Sequence, residues 1–130
     1  MKAFIIELKE ILNYNNSELI EIDLILHKIL SEFAKNQFLR ENLLFKGGTC
    51  LIKTYFDYYR FSQDLDFTWK DQKCFENKGS KTLKRELSKK ITKILIIIEN
   101  ISKKLGLDFK TERGNQRYIL YGGNKKIITM

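Results

Sequence analysis

Apolar residues recur at helical spacing through the first third of the chain. They predict a short amphipathic helix over residues 2–13, with a polar stretch over residues 13–16, and a second helix that Ser17 can cap. One apolar stripe follows the second helix in steps of three and four residues and consists of Leu19, Ile22, Leu26, Ile29, Leu30 and Phe33. Both helices present ordinary packing surfaces, so this part of the sequence predicts a helical layer.

Short apolar runs replace this pattern in the middle of the chain. After a polar hinge over residues 35–42, the run Leu43–Lys46 predicts a buried strand that stops at Gly47-Gly48. Thr49 then opens a helix, and a second strand is predicted over residues 64–69. The apolar face predicted for that helix comprises Leu51, Ile52, Tyr55, Phe56 and Tyr59. The order helix, strand, helix, strand indicates an α+β domain.

The second half predicts one long helix followed by short strands. Apolar residues step by three and four from Leu83 to Leu105, and the glycine that follows ends the helix. Residues 107–111 and 117–121 predict short strands, and Gly122-Gly123-Asn124 predicts a hairpin turn before residues 125–129. We therefore expect one α/β (α+β) domain over residues 1–130, with a mixed sheet, N-terminal helices and a long helix after the second strand.

Composition narrows the function classes only a little. The 24 basic residues outnumber the 16 acidic ones, and the net charge of +8 favours an anionic partner such as a nucleotide or nucleic acid. Most of the excess is lysine, in a proline-free chain rich in Ile and Asn, a composition that an AT-rich genome produces without selection for binding.

The two cysteines, Cys50 and Cys74, are too few for a disulfide framework. No apolar run approaches the roughly 20 residues of a membrane span, so we expect a cytoplasmic protein without a membrane partner.

The segment Asp64-Leu65-Asp66-Phe67 carries the most informative pattern. Alternate side chains of a strand share a face, so the two carboxylates project together while Leu65 and Phe67 pack on the other side. At a separation of ~4 Å their repulsion is on the order of 4 kcal/mol, so the pair either splays into water or takes a cation. Mg²⁺ suits it, since Mg²⁺ accepts one or two carboxylates together with water and phosphate oxygens. The alternative is a half-exposed strand whose polar face happens to be acidic.

A second pattern, Lys46-Gly47-Gly48-Thr49, lies between a predicted strand and a predicted helix. Glycines allow a backbone to approach a ligand closely, and the N–H groups that begin a helix attract phosphate. The pattern predicts a phosphate cradle, although a Gly-Gly pair before a helix is also a common turn, and it is not a Walker loop. Lys46 and Lys53 are candidate phosphate contacts or solvated lysines, and Ser62 either donates to a phosphate or caps a turn.

Together the two patterns resemble a known family. The segment Phe45-Lys46-Gly47-Gly48-Thr49, followed by Arg60-Phe61-Ser62-Gln63-Asp64-Leu65-Asp66-Phe67, resembles the AbiEii/AbiGii-type nucleotidyltransferases, which are toxins of abortive-infection toxin–antitoxin pairs. It is also similar to the wider DNA-polymerase-beta-like superfamily. The resemblance implies that Gly47 and Gly48 form the turn against the nucleotide phosphates, with Thr49 at the helix start. Asp64 and Asp66 become the catalytic ligands of Mg²⁺ or Mn²⁺.

The implied reaction transfers a nucleotide from an NTP to an acceptor, with tRNA as a candidate, and the implied partner is a cognate antitoxin. The superfamily completes its metal site with a third carboxylate on a later strand. Residues 125–129 resemble the approach to that strand, so we expect the third carboxylate beyond Met130 in a C-terminally incomplete domain, with Asp108 and Glu112 as weaker substitutes. Two alternatives stay open: an inactive module that binds RNA or an antitoxin through the lysine-rich long helix, and an antibiotic-modifying nucleotidyltransferase.

Overall fold

The N-terminal helices form where the apolar spacing predicts them. The computed structural model describes residues 2–56, 61, 63–111, 119–122 and 127–130, without the side chain of Ile127. Helix α1 spans Lys2–Leu12 and helix α2 spans Ser17–Lys35. The cap of α2 is Asn16 rather than Ser17, because the Asn16 side chain accepts hydrogen bonds from the backbone N–H groups of Glu18 and Leu19 at 3.1 and 3.2 Å.

The polar hinge predicted over residues 35–42 is wrong. Gln37–Asn42 forms a short helix, α3. Its N-cap is Asn36, whose side chain accepts a hydrogen bond from the N–H of Leu39 at 3.1 Å. Leu39 is buried and fixes the helix to the core. Apolar spacing did not predict α3, because the other side chains of this helix are mostly polar.

The four described strands form one sheet. They span Leu43–Lys46 (β1), Asp66–Trp69 (β2), Leu120–Gly122 (β3) and Ile127–Thr129 (β4), in the order β1-β2-β4-β3. The α+β class is therefore confirmed, but the pairs are all antiparallel where we expected a mixed sheet. β3 and β4 pair as the predicted hairpin, but Gly122, predicted in the turn, is the last residue of β3, and Gly123 and Asn124 lie outside the described residues. Residues 107–111 form no strand, contrary to the prediction.

Helix α4 spans Gly47–Tyr55 and joins the first two strands in sequence. Its buried residues are Thr49 and Ile52, whereas Leu51, Tyr55 and Phe56 are all at least half exposed. The apolar face predicted for this helix is therefore wrong for these three residues, and Tyr59 lies outside the described residues. A helix of nine residues contacts its neighbours along one narrow side. In α4 that side contains Thr49 and Ile52 rather than the full set of apolar residues.

The long helix α5 spans Ser80–Leu105 and forms the main apolar layer against the sheet. Gly106 ends it as predicted, in a left-handed conformation with φ of +68°. One core cluster joins buried residues of α2, α5 and the sheet: Leu26, Phe33, Leu65, Phe67, Trp69, Leu87, Ile91, Ile94, Leu95, Ile98 and Ile128. In the described ranges, no helix has the length and apolar character needed to cross a bilayer.

Candidate functional site

The acidic segment separates its side chains between the two faces of the sheet. Leu65 is 0% exposed and Phe67 4% exposed, and both belong to the core. Asp66 is half-buried and Asp64 is exposed, as alternation along an extended strand predicts. We call the face opposite the core the polar face. It carries Asp66 in β2 and, because directly opposed residues of antiparallel strands share a face, also Lys46 in β1 and Thr129 in β4.

Asp66 therefore lies between a cationic and a hydroxyl side chain in adjacent strands. Lys46 is its register partner in β1 and Thr129 its register partner in β4. The Thr129 Oγ1 donates a hydrogen bond to Asp66 Oδ1 at 2.5 Å. One oxygen of Asp66 is thus engaged from within the sheet.

Gly47, the first residue of the glycine turn, lies directly against Asp66. Its φ of +78° is a conformation that side-chain-bearing residues rarely adopt. A Cβ atom placed on Gly47 would lie 3.0 Å from the Cβ of Asp66 and would collide with its Oδ2. From the sequence, this glycine is expected to allow the close approach of a phosphate. In the structure, the first group that requires it is the carboxylate of Asp66, so the turn and the acidic strand meet at one place.

Thr49 ties the start of α4 to the acidic segment. Its side chain is buried, and its Oγ1 donates a hydrogen bond to the backbone carbonyl oxygen of Asp64 at 2.6 Å. The N-cap residue Lys46 forms no side-chain hydrogen bond to the first turn of α4. The helix therefore begins with backbone N–H groups that its cap residue does not cover, next to a carboxylate, which is an arrangement suited to an anion together with a cation.

The family model of the nucleotidyl transferase AbiEii toxin, type IV toxin–antitoxin system, matches residues 28–125. The chain belongs to the AbiEii family. No curated protein and no solved structure matches it. The matched region contains the glycine turn, the acidic strand and α5, so the resemblance inferred from the two sequence patterns is confirmed. The family is one of nucleotidyltransferase toxins, and a type IV toxin has a cognate antitoxin as partner.

Lys53, a predicted phosphate contact, takes part in a buried ion pair of this AbiEii domain. Its Nζ lies 3.0 Å from both carboxylate oxygens of Asp23, and the two side chains are only 8% and 7% exposed. The pair joins the last turn of α4 to α2. Asp23 was missed by sequence reasoning, although its position within the buried side of α2 was a signal, since a carboxylate there needs a partner.

Of the other residues predicted for the site, some lie beside Asp66, one lies elsewhere in the fold, and two fall outside the described residues. Lys46 shares the polar face with Asp66, and Gly48 lies in the first turn of α4. Ser62 and Glu112 lie outside the described residues. Asp108 borders a cavity of about 130 Å³ together with the core residues Leu26 and Ile98, and so lies apart from the polar face.

Two carboxylates, rather than three, mark the described part of the site. Among the described residues no group of three or more His, Cys, Asp or Glu side chains could hold a metal ion. The ladder between β2 and β4 continues beyond Asp66, because Leu65 and Met130 exchange two backbone hydrogen bonds of 2.7 and 3.0 Å. The third carboxylate stays a prediction.

The basic surface of α5 lies on the other side of the sheet. α5 packs its apolar side on the core face, so its exposed side points away from Asp66. Some lysines there have structural partners: the Nζ of Lys93 lies 4.0 Å from the ring centre of Phe38, and that of Lys90 lies 5.3 Å from the ring centre of Trp69. In the first half of α5, the exposed basic residues are Lys81, Lys84, Arg85 and Lys89.

Proposed function

We propose that this chain binds an NTP with Mg²⁺ or Mn²⁺ between the Gly47-Gly48 turn and the pair Asp64 and Asp66. It then transfers a nucleotide to an acceptor, for which tRNA is the candidate, as the toxin of a toxin–antitoxin pair. The observation that carries the proposal is the contact of Gly47 with Asp66. It brings the uncapped start of α4 and an acidic side chain to one place.

The donor set suits a hard divalent cation. Asp64 and Asp66 would supply carboxylate oxygens, and Mg²⁺ ordinarily combines one or two carboxylates with water and substrate phosphate oxygens. When bound, the cation neutralises triphosphate charge and stabilises the pyrophosphate leaving group. A further residue continuing β4 past Met130 would place its side chain on the polar face opposite Asp64, where a third carboxylate would complete the set.

The chain's own groups would bind and orient the substrate. The first backbone N–H groups of α4 would donate to phosphate oxygens, and Lys46 shares the polar face with Asp66. In the transfer, an acceptor hydroxyl oxygen forms a bond to the α-phosphorus while the bond from that phosphorus to pyrophosphate breaks, and the hydroxyl proton is released. Such a reaction depends on positioning and charge neutralisation more than on a covalent side chain.

Isosteric neutralisation of the acidic pair tests the proposal. Asp64→Asn and Asp66→Asn should each weaken Mg²⁺-dependent NTP binding in calorimetry by about tenfold or more, because an amide is a poor ligand for a hard cation. Asp108→Asn is the matched control, since Asp108 is exposed away from the polar face. Circular dichroism checks that all three variants fold. Unchanged NTP affinity in both site variants would show that the metal site is elsewhere or absent.

A second candidate is a binding module without turnover, which the lack of a third acidic ligand among the described residues favours. Incubation with labelled NTPs and total tRNA separates the two. Label on RNA supports the transferase, whereas RNA or antitoxin retention without label supports the module. Label on an aminoglycoside instead of RNA would indicate an antibiotic-modifying nucleotidyltransferase.

A further inference from the structure

The carboxylate of Asp66 is restrained from two directions. On the side of β4, Thr129 Oγ1 donates to Oδ1 at 2.5 Å. On the side of α4, Oδ2 lies so close to Gly47 that a Cβ atom there would collide with it. An aspartate side chain otherwise has a broad rotational preference at its terminal torsion, so these two neighbours set the direction in which the free lone pairs of Asp66 point.

We propose that Thr129 is a positioning residue that orients the carboxylate of Asp66 for the divalent cation. The inference rests on the proposed function. With Oδ1 engaged by the hydroxyl and Oδ2 beside the glycine turn, the remaining lone pairs of Asp66 would hold the cation in one fixed direction. Thr129 acts through Asp66 and itself needs no contact with cation or nucleotide. It also lies outside residues 28–125, the range that the AbiEii family model matches.

The hydroxyl of Thr129 is not what holds β4 in place. Ile128, the neighbouring residue, is completely buried and pairs with Phe67. Leu65 and Met130 add two backbone hydrogen bonds on the other side of Thr129. Since backbone pairing and an apolar anchor fix the strand on both sides, loss of the hydroxyl should leave the fold intact and change the orientation of Asp66.

The test compares Thr129→Val with Thr129→Ser by Mn²⁺ titration, followed by electron paramagnetic resonance in the presence of a non-hydrolysable NTP. Valine keeps the shape of threonine and removes the donor, whereas serine keeps the donor. Loss of an outer hydrogen bond to a metal ligand typically costs about 10–100-fold in metal affinity, so the dissociation constant for Mn²⁺ should rise by this factor in the valine variant. The serine variant should bind close to wild type.

The outcomes separate this inference from the proposed function. If Mn²⁺ binding is lost in Asp66→Asn but Thr129→Val binds as tightly as wild type, Thr129 has no positioning role and only this inference fails. A wild-type chain that binds no Mn²⁺ with NTP overturns both. Should the valine variant not fold, Thr129→Ala also removes the donor and repeats the comparison. If neither folds, the hydroxyl is structural and the inference is wrong.

Discussion

Helices α4 and α5 are attached to the rest of the molecule in different ways. α5 uses a long apolar side, with Leu87, Ile94 and Ile98 in the core. α4 buries Thr49, Ile52 and most of the Lys53 side chain, and its polar contacts include the hydrogen bond from Thr49 to the Asp64 carbonyl oxygen and the ion pair of Lys53 with Asp23. Apolar packing is non-directional, whereas a hydrogen bond and an ion pair fix both distance and direction. The helix whose start forms the candidate site is the one held by directional contacts.

The largest effect is expected from the buried ion pair at the end of α4. Lys53→Met leaves the carboxylate of Asp23 buried without its ammonium partner, which should cost about 3–5 kcal/mol of unfolding free energy. Replacing both partners, as in Asp23→Leu with Lys53→Met, should restore most of the loss, because two apolar groups leave no buried charge. Urea denaturation of the two variants gives the comparison. A double variant as unstable as the single one would mean that Lys53 stabilises the fold through other contacts.

Thr49→Val removes the next directional contact of α4. The carbonyl of Asp64 then loses its hydroxyl donor, at an expected cost of about 1–3 kcal/mol. Ile94→Val is the control in α5, with a similar expected cost of about 0.5–1.5 kcal/mol from lost apolar volume. Only the α4 variant should also weaken NTP binding in calorimetry, since only it moves the start of the helix relative to Asp64. Equal NTP affinity in the two variants would contradict the difference between the helices.

Two glycines allow backbone strain to be separated from the contact at the site. Gly47 and Gly106 both have positive φ, but a Cβ atom on Gly106 meets nothing within 4 Å, whereas on Gly47 it meets Asp66. Alanine should cost about 1–2 kcal/mol at each position through strain alone. Gly47→Ala should in addition weaken NTP binding, while Gly106→Ala should leave it unchanged. If the two variants have the same free energy of unfolding and the same NTP affinity, Gly47 is needed only for the backbone conformation of the turn.

Local patterns predicted much of the fold and only part of the site. Alternation along the segment Asp64–Phe67 predicted that Asp64 and Asp66 oppose Leu65 and Phe67, and apolar spacing predicted α5. Both inferences use neighbours within a few residues. The apolar face predicted for α4 is confirmed at Ile52 and wrong at Leu51, Tyr55 and Phe56, because the buried side depends on which elements surround that helix.

The contacts missed from the sequence join distant parts of the chain. Thr129 and Asp66 are 63 residues apart, and Lys53 and Asp23 are 30 apart. No local periodicity reports such a pairing. Asn36 is a different case, since asparagine is among the residues preferred at a helix N-cap. It could have revealed α3, whose polar side chains otherwise gave no apolar pattern.

The smallest effect is expected from a polar contact between α5 and α2. Lys104 binds Glu32 at 2.6 Å, but its side chain is 62% exposed, in contrast to the 8% of Lys53. Hydrogen bonds from Lys104 and then Lys35 lower the pKa of Glu32 below its ordinary value of 4.5. A lowered pKa in the folded state means that the contribution to stability is present above pH 4.5 and is lost as the pH falls through the folded-state value.

Glu32→Gln should therefore lower the urea midpoint slightly near neutral pH, because exposed ion pairs contribute little, and the difference from wild type should disappear in acid. Glu99→Gln is the control, since the ion pair of Glu99 with Lys103 lies within α5. If Glu32→Gln lowers the free energy of unfolding as much as Lys53→Met does, α5 also depends on a directional contact. Persistence of the difference below the folded-state pKa would show that the carboxylate charge is not its cause.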